Sequence, residues 1–485
     1  MTLERRTFLK GSAAAAAVLG GPFAGFVNSA SGAVRSPVAP MAGLVPIADE
    51  RDRKVRLHLP DGFSYRSFHD TESPVTLRDG TALPGRHDGM GAFRGADDSV
   101  ILIRNHEVNG TPGKFGPLTG YDEAAGGGTT TIRVTKKGEV LDSYTSCNGT
   151  MMNCSGGIMP WGSWITGEET VNGPDVGPDF TGTTNVPLQK PHGYIFEVPV
   201  KGRSDRQPIT RAGRFAHEAV SFDPVGGRLY LTEDNFVFAS GFYRYTPRKN
   251  PMIAGRLDND GELEMLAVKG RPNAHLEGHQ EAGTSYEVEW VPIAEPDKVF
   301  PYTAGEAAST PNDTAVVFVG DQGRELGAAS FSRLEGQVYD DGVVYFTSTQ
   351  GGGAIETGPE RVTGFGNGSG QVWAYDTRNE TLSLVYESPD RDTLDFPDNI
   401  TVSQRGTLVL CEDNSNDNYV RGLSKDGELW NIALNRLRSS TDADRSGDEF
   451  AGSTFSPDGK TLFVNIQSSK GMSFAIWGPW EQIDV

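Results

Sequence analysis

The chain has 485 residues, and its 64 acidic against 44 basic side chains give a formal net charge of −20. A protein that binds nucleic acid or lies on an anionic membrane carries a basic face, so this charge speaks against both classes. The 61 glycines and 29 prolines are typical of a protein rich in turns. No long amphipathic helical pattern follows the N-terminal segment, and we therefore expect an all-β fold.

The first 33 residues predict an export signal. Arg5 and Arg6 precede a short alanine-rich apolar stretch, and small residues near Ala30 or Ala33 offer cleavage sites. The apolar stretch is too short and too weakly hydrophobic to span a membrane. We therefore expect a twin-arginine signal, recognition by the twin-arginine export machinery, and a mature protein in the periplasm or outside the cell.

Six pairs of strand-like segments follow in residues 34–485, each interrupted by a turn. Polar or small residues recur 15 positions apart at their ends, as Ala92 with Glu107, Cys154 with Glu169, Glu218 with Glu233, Glu335 with Gln350, Asp398 with Asp413, and Gly452 with Gln467. The two members of each pair lie at the same end of an antiparallel hairpin. Radial packing of six hairpins predicts a six-bladed β-propeller whose rims meet at one mouth. We interpret the longer spacing between the third and fourth pairs as part of a blade plus an insertion, roughly residues 235–331.

Most of these rim positions are acidic, and one is the thiol of Cys154. Carboxylates at strand ends are usually solvated, which is the simpler interpretation of any single one. Their recurrence in register favours another interpretation, because like charges brought together cannot all stay ionised without a cation. The pattern therefore predicts a site for several metal ions.

Three further features refine this prediction. Cys154 places soft sulfur beside hard oxygen, a combination that suits iron better than magnesium or calcium alone, although a free cysteine is often only a buried apolar residue. Asn105 shares a strand face with Glu107, and both offer oxygen ligands. Arg333 lies two residues before Glu335, so its planar fork could bind a phosphate or a carboxylate; an internal Arg–Glu ion pair is the alternative.

The motifs NCSGG, FAHEAVSFDP with YLTED, SRLEG, DFPDNITVS with LCEDN, and EFAGSTFSPDGKTLFVNIQ occur in this order. With the export signal, they make essentially the whole mature chain resemble the PhoX-type alkaline phosphatases. The resemblance implies a six-bladed propeller with ferric iron and calcium in one mouth, acting on small phosphate monoesters. By motif, the residues that resemble metal ligands are Cys154, Glu218 and Glu335 for iron, Glu169 with Glu233 or Asp234 for the iron and calcium shells, and Glu107, Asp398, Asp413 and Glu449 as further candidates. Arg333 resembles the phosphate-binding arginine, and we expect Asn105 to contact substrate with it.

We therefore expect an exported, monomeric phosphatase for phosphate acquisition, in which bound metals supply an oxide or hydroxide nucleophile. No lysine near Cys154 offers the second phosphate clamp that some family members have. Two alternatives stay open, because fold alone does not fix function. One is a calcium-dependent lactonase or phosphodiesterase on the same propeller, and the other is a non-catalytic calcium-binding propeller.

Overall fold

The structure, a computed structural model, describes residues 43–424 and 427–485. The predicted signal at 1–33 lies outside the described residues. Within them, no helix has the length and apolar character needed to cross a membrane.

The strands are β1 (Val45–Ala48), β2 (Val55–Leu59), β3 (Ser64–Phe68), β4 (His87–Arg94), β5 (Val100–His106), β6 (Gly127–Val134), β7 (Val140–Thr150), β8 (Asn153–Met159), β9 (Ser163–Glu168), β10 (Ile195–Pro199), β11 (His217–Asp223), β12 (Arg228–Glu233), β13 (Phe242–Pro247), β14 (Gly261–Val268), β15 (Ser285–Pro292), β16 (Leu334–Asp340), β17 (Val343–Ser348), β18 (Gln371–Asp376), β19 (Thr381–Glu387), β20 (Pro397–Val402), β21 (Leu408–Glu412), β22 (Tyr419–Leu423), β23 (Leu429–Asn435), β24 (Phe450–Phe455), β25 (Thr461–Ile466) and β26 (Met472–Trp477). The helices are α1 (Pro251–Ala254), α2 (Asn312–Val316) and α3 (Phe318–Glu325), with 3₁₀ turns at Thr210–Ala212 and Trp480–Gln482.

These strands form five antiparallel sheets in the described part of the chain. Four are arranged like propeller blades, in the strand orders β4-β5-β6-β7, β8-β9-β10, β20-β21-β22-β23-β2-β1 and β24-β25-β26-β3. The fifth has nine strands, in the order β11-β12-β13-β14-β15-β19-β18-β17-β16, and bends back until its edge strands β11 and β16 pack together. The predicted all-β, propeller-like fold is confirmed. Six separate blades are not formed, because β15 pairs with β19 and joins the third and fourth units into one sheet.

The first strand of each repeat unit lies innermost. Going round the molecule, β4, β8, β11, β16, β20 and β24 each pack against the next, and β24 returns to β4. This ring brings the starts of six strands from distant parts of the sequence to one place. It is the structural basis of the mouth.

The core lies between neighbouring sheets rather than at the ring's centre. It also lies between the two halves of the folded-back nine-stranded sheet, where Phe242 of β13 stacks on Phe346 of β17 with ring centroids 4.4 Å apart and both side chains fully buried. Burying an aromatic side chain stabilises the fold by roughly 1.5–3 kcal/mol, so such contacts hold the two halves of this sheet together. The centre of the ring is left to polar side chains.

Candidate metal centre and active site

Each innermost strand carries a β-bulge at its start, where the pairing register with the next strand shifts. An extra residue at a bulge interrupts the regular alternation and redirects a side chain, a device common beside active sites. The residues that begin the six bulges are Asp88, Cys154, Glu218, Glu335, Asp398 and Gly452. Five of the six therefore offer a potential metal ligand at the same structural position.

The potential ligands meet in three groups, and within each group the ligand atoms all lie within 4.8 Å of one another. The groups are Cys154 with Glu169 and Glu218, Glu218 with Glu335 and Asp398, and Asp398 with Asp413 and Glu449. Glu218 belongs to the first two groups and Asp398 to the last two. The groups therefore form one continuous row, which contains seven of the residues that the sequence singled out.

The protonation equilibria of this row are strongly perturbed. Burial, reinforced by neighbouring carboxylates, raises the pKa of Glu218, Glu335 and Glu449 well above its usual range and that of Asp398 to about 8. Burial, with Asp88 next to it, also raises the pKa of the Cys154 thiol. Bound cations would reverse these shifts, because they favour the ionised forms.

Glu218 gives the clearest sign that the row is built for cations. Both of its carboxylate oxygens are buried, and neither has a hydrogen-bond partner in the described part of the chain. A buried carboxylate left in this way is costly unless something else binds it. The donor set fits metal ions, with sulfur and oxygen at one end of the row and only carboxylate oxygens at the other.

Arg333 lies beside the row, directly before β16. Its Nη2 atom is 2.8 Å from Asp234 Oδ2 and 2.7 Å from Glu335 Oε1, so the ion pair left open by the sequence is present. Although burial disfavours its charge, Asp234 and Glu335 raise its pKa well above the usual range and keep it a cation. Its guanidinium carbon lies 5.1 Å from the ring centroid of Phe236, and 12% of the side chain is exposed.

Asn105 is held by contacts within the protein. Its amide group donates to the backbone carbonyls of Cys154 at 3.0 Å and Ser155 at 2.8 Å, and its oxygen accepts from the Trp164 indole at 2.9 Å. The side chain is fully buried and its amide is occupied by these contacts. In this arrangement Asn105 positions the bulge that carries Cys154.

Glu233 and Asp234 are adjacent but have different surroundings, and neither belongs to the three ligand groups. Glu233 pairs with His217, just as Glu168 pairs with Asn153, and it accepts hydrogen bonds from the Tyr243 hydroxyl at 2.8 Å and the Gly241 amide at 2.9 Å. Glu233 is therefore held by the scaffold, whereas Asp234, one residue later, contacts Arg333.

The first repeat unit was read in the wrong register. Ala92 lies inside β4 and faces the core, whereas Asp88 begins the bulge. Asp88 is buried, accepts a hydrogen bond from Gln467, and burial together with Glu107 and Asp398 raises its pKa well above the usual range. A search for acidic residues before each hairpin, with variable turn length, would have found it.

Glu107 lies on the same side of the ring, but outside the three ligand groups. It forms an ion pair with Arg86, whose side chain is 41% exposed. Burial raises the pKa of Glu107, whereas Arg86 opposes that change. Arg86 and Arg333 are thus two cationic side chains beside a mouth whose potential ligands are mainly carboxylates.

Comparison with known proteins agrees with this geometry. The family model described as alkaline phosphatase PhoX matches residues 43–143 and 135–470, and a model of the twin-arginine translocation signal matches residues 2–22. No curated protein sequence matches.

Among solved structures, Pseudomonas fluorescens PhoX in complex with vanadate, a transition state analogue, aligns with a TM-score of 0.62 and 16% identity, over 90% of this chain and 98% of that one. A gluconolactonase from Xanthomonas campestris aligns with a TM-score of 0.38 and 12% identity, over 91% of this chain and 100% of that one. At 16% identity the first match shows a shared fold, whereas the TM-score of the second match is too low to show one.

The PhoX family model covers well over half of the chain and includes every member of the three ligand groups. The twin-arginine signal precedes it. This protein therefore belongs to the PhoX alkaline phosphatase family, and it is a phosphatase exported by the twin-arginine route to the periplasm or the cell exterior.

Proposed function

We propose that the protein hydrolyses phosphate monoesters at the mouth of the ring, with ferric iron and calcium bound by the three ligand groups, and that it releases phosphate for uptake. The observation that carries the proposal is the continuous row of ligand atoms linked by Glu218 and Asp398, with Arg333 beside it.

The two ends of the row suit different metals. Cys154, Glu169 and Glu218 combine a thiolate with carboxylates, which favours iron, whereas Asp398, Asp413 and Glu449 offer only oxygen, which favours calcium. When bound, these ions would polarise the phosphoryl oxygens, neutralise developing charge and activate a water-derived nucleophile.

The chain's own residues would orient the substrate. Arg333 would bind the phosphoryl group through Nη1, whose contact with Gln350 is a long one of 3.4 Å. Its Nε and Nη2 atoms are held by Asp234 and Glu335, which fix the direction of the guanidinium. Because the guanidinium is mostly buried, its interaction with the phosphoryl group is screened less than at the surface. A preorganised cation of this kind stabilises charge that develops in the transition state.

Metal removal tests the proposal. Calcium is removed from the purified protein with a selective chelator, and iron is removed separately by reduction and chelation, with both contents measured by mass spectrometry. Hydrolysis of p-nitrophenyl phosphate should fall after each treatment and recover when the missing metal is restored. Full activity in a metal-free protein would refute the proposal.

A phosphodiesterase or a lactonase on the same fold is the alternative. Comparing turnover of a monoester, a diester and a lactone by the metal-loaded protein distinguishes the three activities. We expect the monoester to be preferred, because Arg333 and the metal ions bound by the three ligand groups would together provide positive charge for the two negative charges of a monoester phosphate.

A further inference from the structure

Two phenylalanines from different loops stack beside the mouth. Phe236 follows β12 and lies against the Arg333 guanidinium, at 5.1 Å from ring centroid to guanidinium carbon. Phe180, from the loop between β9 and β10, stacks on Phe236 with centroids 5.0 Å apart and ring planes 18° from parallel. A continuous stack therefore leads from Arg333 towards solvent.

The outer ring of this stack is open. Phe180 is 55% exposed, although a phenylalanine side chain gains most when it is buried. Its position is nevertheless fixed, because the neighbouring Asp179 accepts hydrogen bonds from the Asn172 side chain at 3.0 Å and from the Thr181 amide at 2.9 Å. An anchored loop that displays an aromatic face beside an active site is typical of a binding surface.

The inner ring is held from the other side by a third loop. The Phe365 amide donates to the Phe236 carbonyl at 2.8 Å. A Cβ atom at Gly364 would lie 2.1 Å from the Gln350 side chain, 3.0 Å from Arg333 and 3.1 Å from Phe236, and the residue has a φ of +88°. Glycine at this position therefore allows the loop to lie close against all three side chains.

We propose that the open face of Phe180, supported from behind by Phe236, binds a planar ring of the leaving group, so that nucleoside monophosphates are preferred over phosphate esters without a ring. This inference rests on the proposed hydrolysis of monoesters, with the phosphate at Arg333. The two centroid distances place the Phe180 ring within about 10 Å of the Arg333 guanidinium carbon, a separation that a sugar between phosphate and base can span. A ring bonded directly to the phosphate oxygen reaches less far.

The test compares AMP, p-nitrophenyl phosphate and glycerol 3-phosphate as substrates of the metal-loaded wild type and of Phe180→Ala. The ratio of kcat/KM for AMP to that for glycerol 3-phosphate should fall about 5- to 10-fold in the variant, the effect of losing one stacking contact. The loss should appear in KM for AMP, and Phe180→Trp should restore it. Ile253→Ala in α1 is the matched control, because Ile253 is another exposed apolar side chain, at 87%, and belongs neither to the aromatic stack nor to the three ligand groups.

Each outcome decides the matter. An unchanged ratio in Phe180→Ala, or an equal loss for AMP and glycerol 3-phosphate, would overturn the proposal. A loss for p-nitrophenyl phosphate as large as that for AMP would show a ring-binding surface but refute the sugar-length spacing. If the wild type hydrolysed none of the three esters, the proposed function itself would be wrong.

Discussion

Replacement of Arg333 tests whether this residue binds phosphate or only supports its neighbours. In Arg333→Ala, the phosphoryl group loses a buried, charged hydrogen-bond donor. Loss of such a donor costs about 2–4 kcal/mol of transition-state stabilisation, which corresponds to roughly 30- to 1,000-fold in kcat/KM. Arg333→Lys keeps the charge but loses the planar fork, so it should be impaired less than the alanine variant.

The structure also predicts what should not change. Arg333 contacts Asp234 and Glu335 but is not itself a ligand, so its removal leaves the mouth more acidic. Metal content should therefore stay at or above that of the wild type, whereas inhibition by free phosphate should weaken in parallel with kcat/KM.

The assay measures kcat and KM for p-nitrophenyl phosphate, phosphate inhibition and metal content on the same preparation. Arg244→Ala is the matched control, because Arg244 is an equally buried arginine that pairs with Glu264 at 2.8 Å, away from the three ligand groups. It should lower the free energy of unfolding and leave kcat intact. Normal activity with normal phosphate inhibition in Arg333→Ala, or loss of its metals, would refute the assigned role.

Three further predictions concern single residues. Cys154→Ser should lose iron and activity while the protein stays folded; unchanged iron content would make Cys154 a packing residue. Asp234→Asn should lower kcat about tenfold, because it weakens a charged hydrogen bond to Arg333. Glu233→Gln should instead chiefly lower the free energy of unfolding, because Glu233 accepts a hydrogen bond from Tyr243. Equal kcat values in these two variants would contradict the prediction. Burial disfavours the charged form of His192, but the carboxylates of Glu168 and Asp122 outweigh this effect and raise its pKa to about 9. The charged histidine should therefore add up to about 3 kcal/mol to the free energy of unfolding below pH 6.5, and this contribution should be lost as the pH rises through 9. Urea unfolding at pH 6 and pH 9.5 measures this change, and His192→Gln should show a flatter pH dependence than the wild type.

The strands and most of the candidate ligands could be predicted because their signals are local. Alternation of apolar and polar residues marks each hairpin, and a residue at its end stays at the rim wherever the hairpin packs. The sequence therefore predicts that Cys154, Glu218 and Asp398, which are far apart in the chain, lie at one mouth, and the structure places them in one row.

The errors arose where the answer depends on register. A constant spacing of 15 residues assumes equal hairpins, but Asp88 and Glu107 are 19 residues apart, so that spacing points to Ala92 instead of Asp88. In the third unit, a shift of one residue separates Glu233, which holds the scaffold, from Asp234, which faces the site; such a shift reverses the direction of a side chain.

The joining of the third and fourth units could not be predicted from local pattern. β15 pairs with β19, almost one hundred residues further along the chain, and nothing in either segment specifies the other as its partner. The surroundings of Asn105 could not be predicted for a related reason. Its place on the strand follows from the local pattern, but its hydrogen bonds to the backbone of Cys154 and Ser155 are tertiary contacts that only the folded chain reveals.

The last sheet combines β24, β25 and β26 with β3, a strand made almost four hundred residues earlier. The neighbouring sheet likewise takes β2 from the start of the described chain to pair with β23. The ring closes where β24 packs against β4. There, any side chain at Gly452 would collide with the backbone of Asp88, so these two innermost strands meet with no space between them. During synthesis the ring therefore stays open until the final strands have left the ribosome. The export signal emerges first and the ring of innermost strands closes last, so export in the folded state has to wait until β24, β25 and β26 have been translated.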